Sequence, residues 1–501
     1  MSKVDSKKAV WSGLPQGTVA IFFIQIFSTL SFSVLYSTLV LYMTKKLGMS
    51  APSANSITGI FVAANFALHL LGGYCGGRFL SNRALFCFGM LAQIVGCFLL
   101  ALENESYLYY GLGFFLTGSG LNVTCINCML TQRFSPQDNR RESAFLWNYA
   151  GMNIGFLIGF TLSGYFQLSQ NYHRLFLLSS LGNLVAVFIC LYFWHDLGDQ
   201  KTVYSRLPML QKKRAVLSGI ALVLGLPFLL SQFIHFADWA NKLILVVGAV
   251  MLAIATILAL QQQSRDAREK MLAFVALMMV STVFWVLYQI GPMGLTHFIE
   301  NNVQRHWGVM IIPPQWFQNI NTICIVIGGP VLSFILNRMR SRGIQVNIPT
   351  QFAFALLLIG LAFALLPLGI SRADAAGMVN PGWIVVSFIL QSAGELLISP
   401  IGYAMVGALI PSSLQGVMMG MWMLAMGVGA TLSSYSSNWM TAGQETNLPL
   451  ATNAGYSDVF LNLGLYAIAA SFLLFLLVPR LRTWINDKKS NLSSETASAM
   501  A

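Results

Sequence analysis

The chain has 501 residues, of which 56% are hydrophobic and 9% charged, against about 25% charged in soluble domains. That composition excludes a soluble fold. The net charge of +12 is then a matter of membrane orientation and anionic lipid contact, and a nucleic-acid partner is not implied.

Apolar stretches separated by short polar clusters have the length, about 20 residues, that crosses the hydrocarbon core as a helix. In chain order they predict spans at 18–43, 54–79, 84–102, 107–131, 144–166 and 173–194, a first bundle of six. A basic, Pro-containing connector follows with two more spans, 214–234 and 240–261. A second bundle of six takes 271–293, 316–336, 349–370, 382–408, 415–438 and 457–479. The expected organisation is therefore a bundle over 1–195, a connector over 196–268, a bundle over 269–484 and a polar, Ser-rich tail over 485–501 that reads as disordered. The fold class is an all-α polytopic membrane protein with 14 transmembrane helices.

Basic residues test the parity of this count, because Lys and Arg collect in alternate loops on the cytoplasmic side. One side takes Lys3, Lys7 and Lys8, then Arg78 and Arg83, then Arg133, Arg140 and Arg141, then Lys201, Arg206, Lys212, Lys213 and Arg214. It continues with Arg265, Arg268 and Lys270, with Arg338, Arg340 and Arg342, and with Arg480, Arg482, Lys488 and Lys489. The other side is left with Lys45, Lys46, Arg174, Lys242, Arg305 and Arg372. Both termini are expected to be cytoplasmic, in a plasma membrane. The first apolar run lacks a small-residue cleavage site and reads as a retained span.

An ionisable group at depth costs about 2.5–3.5 kcal/mol or more unless partnered, so such groups mark function. Of the 17 acidic residues, the one inside a span is Glu395, in Gln391-Ser392-Ala393-Gly394-Glu395-Leu396-Leu397-Ile398-Ser399-Pro400. Gly394 and Pro400 suit a helix that loosens beside a cavity. Glu395 is expected to hold a substrate ammonium, a proton, or both in turn, against the plainer reading of a protonated carboxyl bonded between helices. His69 is the one histidine well inside a span and a second proton-coupling candidate, although a neutral, satisfied imidazole is the commoner outcome. Gln25, Asn122, Asn127, Asn148, Tyr149, Asn153, Tyr288, Gln289 and Asn321 are candidate cavity residues.

Gly151, Gly155 and Gly159 repeat at four-residue spacing, which lets helices approach closely, and Gly416 and Gly420 suggest a similar face. Pro292 and Pro330 are expected to kink their spans. The seven cysteines all fall within spans and read as small apolar residues, Cys125 and Cys128 included. No metal pair, nucleophile elbow or Walker-type loop is present, so neither an enzyme, a metal, a cofactor nor ATP-driven transport is expected.

The run Phe284-Trp285-Val286-Leu287-Tyr288-Gln289-Ile290-Gly291-Pro292 and the stretch around Glu395 resemble the proton-dependent oligopeptide transporter family. So does the layout of six, two and six spans. The resemblance covers about Gly13 to Arg482. It implies a major facilitator fold in which Glu395 and Asn321 bind a peptide amino terminus. It also implies that Tyr149 and Asn153 carry a fifth-helix motif with Gly155, and that Tyr288 and Trp422 line the cavity. The family's first-helix E-x-x-E-R motif is absent: Gln25, Ile26, Phe27, Ser28 and Thr29 stand there. Val123 stands where the resemblance implies a lysine, Phe66 where it implies a tyrosine, and Gly77 where it implies a cytoplasmic aspartate. Losing the carboxylates and cations together avoids a stranded buried charge.

These residues point to secondary transport, by a monomer, of a small peptide-like or amine-bearing solute by alternating access, with altered proton coupling. Export of a peptide-derived metabolite such as a siderophore or drug, and a non-transporting membrane sensor, are the competing readings.

Overall fold

The structure, a computed structural model, describes residues 14–135, 138, 140–200, 202–342, 346–441 and 448–485. The expected disordered tail beyond Ile485 and the amino-terminal lysines lie outside these residues.

With no water in hydrocarbon to satisfy backbone groups, each apolar segment closes its own hydrogen bonds as a helix. Among the described residues there are fourteen helices of 17 residues or more. They are α1 (Thr18–Leu41), α2 (Ala51–Cys75), α3 (Asn82–Ala101), α4 (Glu105–Thr131), α5 (Arg140–Leu168), α6 (Tyr172–Tyr192), α7 (Met209–His235) and α8 (Ala237–Leu260). The rest are α9 (Arg265–Gln289), α10 (Pro314–Ser341), α11 (Ile348–Ala364), α12 (Pro381–Leu409), α13 (Gln415–Thr441) and α14 (Pro449–Ile485). Thirteen are long and apolar enough to cross a membrane, and α5 is the exception. It carries Asn148, Asn153 and Gln167 on its buried face.

Polar residues set the helix starts. Ser81, Asn104, Asn171, Ser264, Asn347 and Asn380 each accept a hydrogen bond from a first-turn amide, capping α3, α4, α6, α9, α11 and α12. Past Gln289 the chain runs through a π-helical segment, Gly291–Leu295, in which Met293 leaves helical dihedrals. It then forms a further helix, Thr296–Asn302. Pro292 accounts for the interruption, since it lacks an N–H for the helix ladder. A short hairpin, His306–Trp307 against Met310–Ile311, leads to α10.

The chain divides into two compact units, Met1–Gly48 with Ala64–Phe236, and Met49–Ala63 with Ala237–Ala501. The connector that the sequence groups as one segment, 196–268, is thus divided, with α7 in the first unit and α8 in the second. The cause is local packing. On α4, Gly113 admits Pro227 O and Ser231 of α7, while Val428 of α13 fills the space at Gly248 of α8. Asn241 of α8 donates to Ser56 O at 2.9 Å and accepts from Thr431 at 3.1 Å.

Within the first unit the Gly151, Gly155 and Gly159 stripe of α5 lies on Phe22, on Ile26 O with Thr29, and on Leu30 O with Ser33 of α1. A side chain at Gly155 would meet Ile26 O at 2.6 Å. Gly416 has no such partner, with nothing within 4 Å of an added Cβ, so α13 packs instead through Gly429 on Trp285 and Gly427 on Ala63. At the turn between α2 and α3, Gly77 takes a φ of +71°. The carboxylate at that turn comes from Asp199 of the connector, which accepts from Asn82 N and Asn82 Nδ2, each at 3.1 Å.

Candidate functional site

The acidic residue singled out by the sequence is half-buried on α12. Asn321 of α10 donates to Glu395 Oε2 at 2.9 Å and to Ser392 Oγ at 3.0 Å. Ser392, one turn before Glu395, is fully buried and donates to Phe388 O at 2.6 Å. The Tyr288 hydroxyl of α9 also hydrogen-bonds Glu395. Three helices therefore converge on one carboxylate through neutral donors. Among the described residues no basic side chain pairs with it.

The wall on the α9 side is aromatic. The Tyr288 ring stacks on Phe284 at 6.0 Å and meets Trp285 edge-on at 5.5 Å. Gly394 keeps α12 close to this wall, since an added Cβ would sit 3.1 Å from Phe284 Cε2 and 3.0 Å from Ala355 O. Five residues past Glu395, Pro400 lies inside α12 and offers no N–H to Leu396 O. A carbonyl is left without its ladder partner one residue after the carboxylate.

Gln289 is buried beside Tyr288. Trp422 is fully buried, its indole over Gly402 and 6.3 Å from the Phe352 ring. The structure does not bring it into the hydrogen-bonded set at Glu395. Ser392 and Cys324 are the members that the sequence reading did not name as site residues. Cys324, one turn beyond Asn321, is half-buried with its thiol hydrogen-bonded to Ser392. Small neutral side chains carry no compositional signal, and the helical spacing from Asn321 was the available clue.

In the first unit, the stretch lacking the charged motif forms a neutral network. Gln25 Nε2 donates to Thr29 Oγ1 at 2.9 Å, and Asn148 Nδ2 of α5 donates to Gln25 Oε1 at 3.2 Å. All three are buried. Asn153 is buried and donates to Tyr149 O at 2.9 Å, whereas the Tyr149 side chain is exposed. Asn122 is buried against Gly89, and Asn127 is exposed. His69 of α2 is half-buried, with Nε2 3.5 Å from Asn65 Nδ2 and its carbonyl accepting from Thr124 of α4 at 2.7 Å. Val123, the chain neighbour of Thr124, is half-buried. Among the described residues no group of three His, Cys, Asp or Glu side chains is placed to hold a metal.

A sequence profile of the POT family matches residues 83–455. The chain belongs to the POT family. Dipeptide and tripeptide permease B of Salmonella typhimurium is 30% identical over 480 residues, covering 94% of this chain and 96% of the permease. Dipeptide and tripeptide permease A of Chromobacterium violaceum is 30% identical, covering 95% of each. Among solved structures, a mutant of a peptide transporter POT in complex with alafosfalin superposes with a TM-score of 0.83 at 22% identity, over 95% of this chain and 97% of that one. A POT family transporter in complex with 5-aminolevulinic acid gives 0.81 at 23% identity, over 94% and 98%. This POT-family chain is accordingly an integral membrane transporter with the fold expected from its sequence, and not an enzyme.

Proposed function

We propose that this POT-family protein moves a small peptide-like or amine-bearing solute across a bacterial inner membrane by alternating access, with Glu395 receiving the solute ammonium and with proton coupling altered. The observation that carries this reading is the Glu395 carboxylate held by Asn321 and Tyr288 with, among the described residues, no cation beside it. A carboxylate within a span costs about 2.5–3.5 kcal/mol or more without a partner. Two neutral donors satisfy part of its acceptor capacity, and an ammonium completes the set while supplying the missing charge. The aromatic wall of Phe284, Trp285 and Tyr288 suits the same cation.

The names of the relatives support a peptide-like solute, and the 5-aminolevulinic acid complex supports an amine-bearing one. Altered coupling rests on Gln25, Thr29 and Val123, which leave no charge where the resemblance implies several. Glu395 and His69 remain as proton-carrying groups. Within the second unit Asn321, Tyr288 and Gln289 then serve with Glu395 as substrate-binding residues, with Trp422 as buried support; within the first unit the substrate-binding candidates are Tyr149, Asn153 and Gln25. The transporter works as a monomer with both termini cytoplasmic.

Uptake into proteoliposomes, with and without an imposed pH gradient, tests this directly. Glu395→Gln should abolish uptake of amine-bearing solutes. Intact uptake with unchanged pH dependence in that variant overturns the assignment.

A further inference from the structure

We infer that the crevice between α8, α9 and α13, together with Arg268, is a binding site for one anionic phospholipid, with an acyl chain in the crevice and the phosphate on the arginine. The inference goes beyond the transport reading, since none of the lining residues belongs to the hydrogen-bonded set at Glu395.

The crevice lies within the second unit and has a volume of about 280 Å³. An apolar cavity of about 150 Å³ admits a six-carbon guest such as benzene, so this one takes roughly ten carbons of a chain. Its lining calls for hydrocarbon. Thr282 is the one polar side chain in it, and that hydroxyl already donates to Met278 O at 3.1 Å. Met251, Met278, Met279 and Met421 supply four thioethers, which adapt to a flexible apolar occupant better than branched side chains do. A peptide or an amine would leave its polar groups unpaired there, at a cost that a hydrocarbon chain avoids.

The mouth of the crevice leads to a cation. Ala249 of α8 and Met279 of α9 both line the crevice and are exposed, so it opens between those two helices. From Met271 to Met278 the residues of α9 that escape burial are Leu272 and Ala276. With Arg268 and Met279 they form a single stripe at helical spacing. Arg268 precedes Met279 by eleven residues, which is about 16 Å along the helix axis and about 20° around it. Half the hydrocarbon core of a bilayer is about 15 Å thick. A phosphate at Arg268 therefore sends its chain down this stripe to the crevice.

Arg268 is also the basic residue of its turn that is left for a ligand. Arg265 pairs with Glu269 and Lys270 with Asp266, each at 2.7 Å. Among the described residues Arg268 has no acidic partner, and it is exposed. A net-anionic headgroup is favoured over a zwitterionic one, because the zwitterion brings a cation of its own to the arginine.

Native mass spectrometry of the full-length protein, delipidated and then titrated with phosphatidylglycerol or with phosphatidylcholine of the same chains, tests this. The wild type should saturate with one phosphatidylglycerol, held about fivefold more tightly than phosphatidylcholine, which is what one cation near a membrane surface contributes. Arg268→Gln should erase that preference. Arg265→Gln removes a charge that is already paired and should keep it. Ala249→Phe, at an exposed position where the larger side chain covers the mouth without crowding a core, should weaken both lipids. Equal retention of the two lipids by the wild type, or a preference lost as fully in Arg265→Gln as in Arg268→Gln, overturns the inference. So does binding that Ala249→Phe leaves unchanged, or that never saturates at one lipid, which marks the general lipid belt instead.

Discussion

Asn148 on α5 donates its amide to Gln25 Oε1 on α1 across 3.2 Å, and Gln25 passes a second hydrogen bond to Thr29 Oγ1 at 2.9 Å. The network is buried and neutral from end to end. Gln25→Glu would set a carboxylate there with no cation beside it, at a cost of about 2.5–3.5 kcal/mol. Thermal unfolding in detergent should show a clear fall in midpoint. Adding Thr29→Arg, one helical turn away, should recover part of it, because a paired charge replaces a stranded one. An unchanged midpoint in the single variant contradicts this account.

At Glu395, the weight falls on Asn321, which bonds the carboxylate and Ser392 with one amide nitrogen. Asn321→Ala should remove a hydrogen bond to a charged group, worth about 1.5–3 kcal/mol. That corresponds to roughly a 10- to 150-fold rise in the apparent KM of uptake for an amine-bearing solute. A control solute lacking the amine should be affected far less. If both solutes lose the same amount, Asn321 supports the fold rather than the ammonium site.

The fourteen helices were legible because a span must be apolar for its whole length, and that demand leaves a signal in composition. Helix α5 was legible in spite of Asn148, Asn153 and Gln167, from the stretch at 144–166, with the parity of the basic loops as a check on the count. The extension Thr296–Asn302 and the hairpin at His306–Ile311 were not, since beyond the hydrocarbon the constraint lapses. Glu395 stood out as a lone acid at depth, and the resemblance pointed from it to Asn321 and Tyr288. Ser392 and Cys324 left no signal beyond helical spacing, and the burial of Trp422 on Gly402 depends on how α12 and α13 cross, which no local pattern reports. The neutral state of the first helix was visible as an absence of charge, whereas its partner Asn148 required the crossing of α1 and α5.

Asp199 joins the connector to the start of α3. Its carboxylate accepts from Asn82 N, Asn82 Nδ2 and Thr202 Oγ1. Arg133 beside it donates to Asp196 O and Gly198 O. Burial lowers the Arg133 guanidinium from its usual value, and Asp199 and Asp196 raise it again. Asp199→Ala should therefore cost about 1–3 kcal/mol through lost hydrogen bonds and an uncompensated arginine. Asp199→Asn, which keeps an acceptor, should cost less. Asp138→Ala, whose carboxylate meets exposed Arg140, serves as the surface control and should leave the unfolding midpoint in place. Equal midpoints for Asp199→Ala and the control would remove Asp199 from this role.

Gly402 and Trp422 form the tightest pairing of α12 with α13: an added Cβ at Gly402 would lie 2.0 Å from Trp422 Cζ2 and 2.5 Å from Cε2. The indole has nowhere to move, being fully buried with Phe352 nearby. Gly402→Ala should therefore destabilise by about 1–3 kcal/mol, the usual range for overpacking. Trp422→Phe removes the part of the ring that clashes, so the two changes together should cost less than their sum. Such non-additivity is what residues in direct contact show in a double-mutant cycle. Gly416→Ala on the same α13 meets nothing within 4 Å and should be neutral or slightly stabilising, since alanine favours a helix. Additive losses at Gly402 and Trp422 would mean that the helices separate rather than repack, and the close crossing inferred here would be wrong.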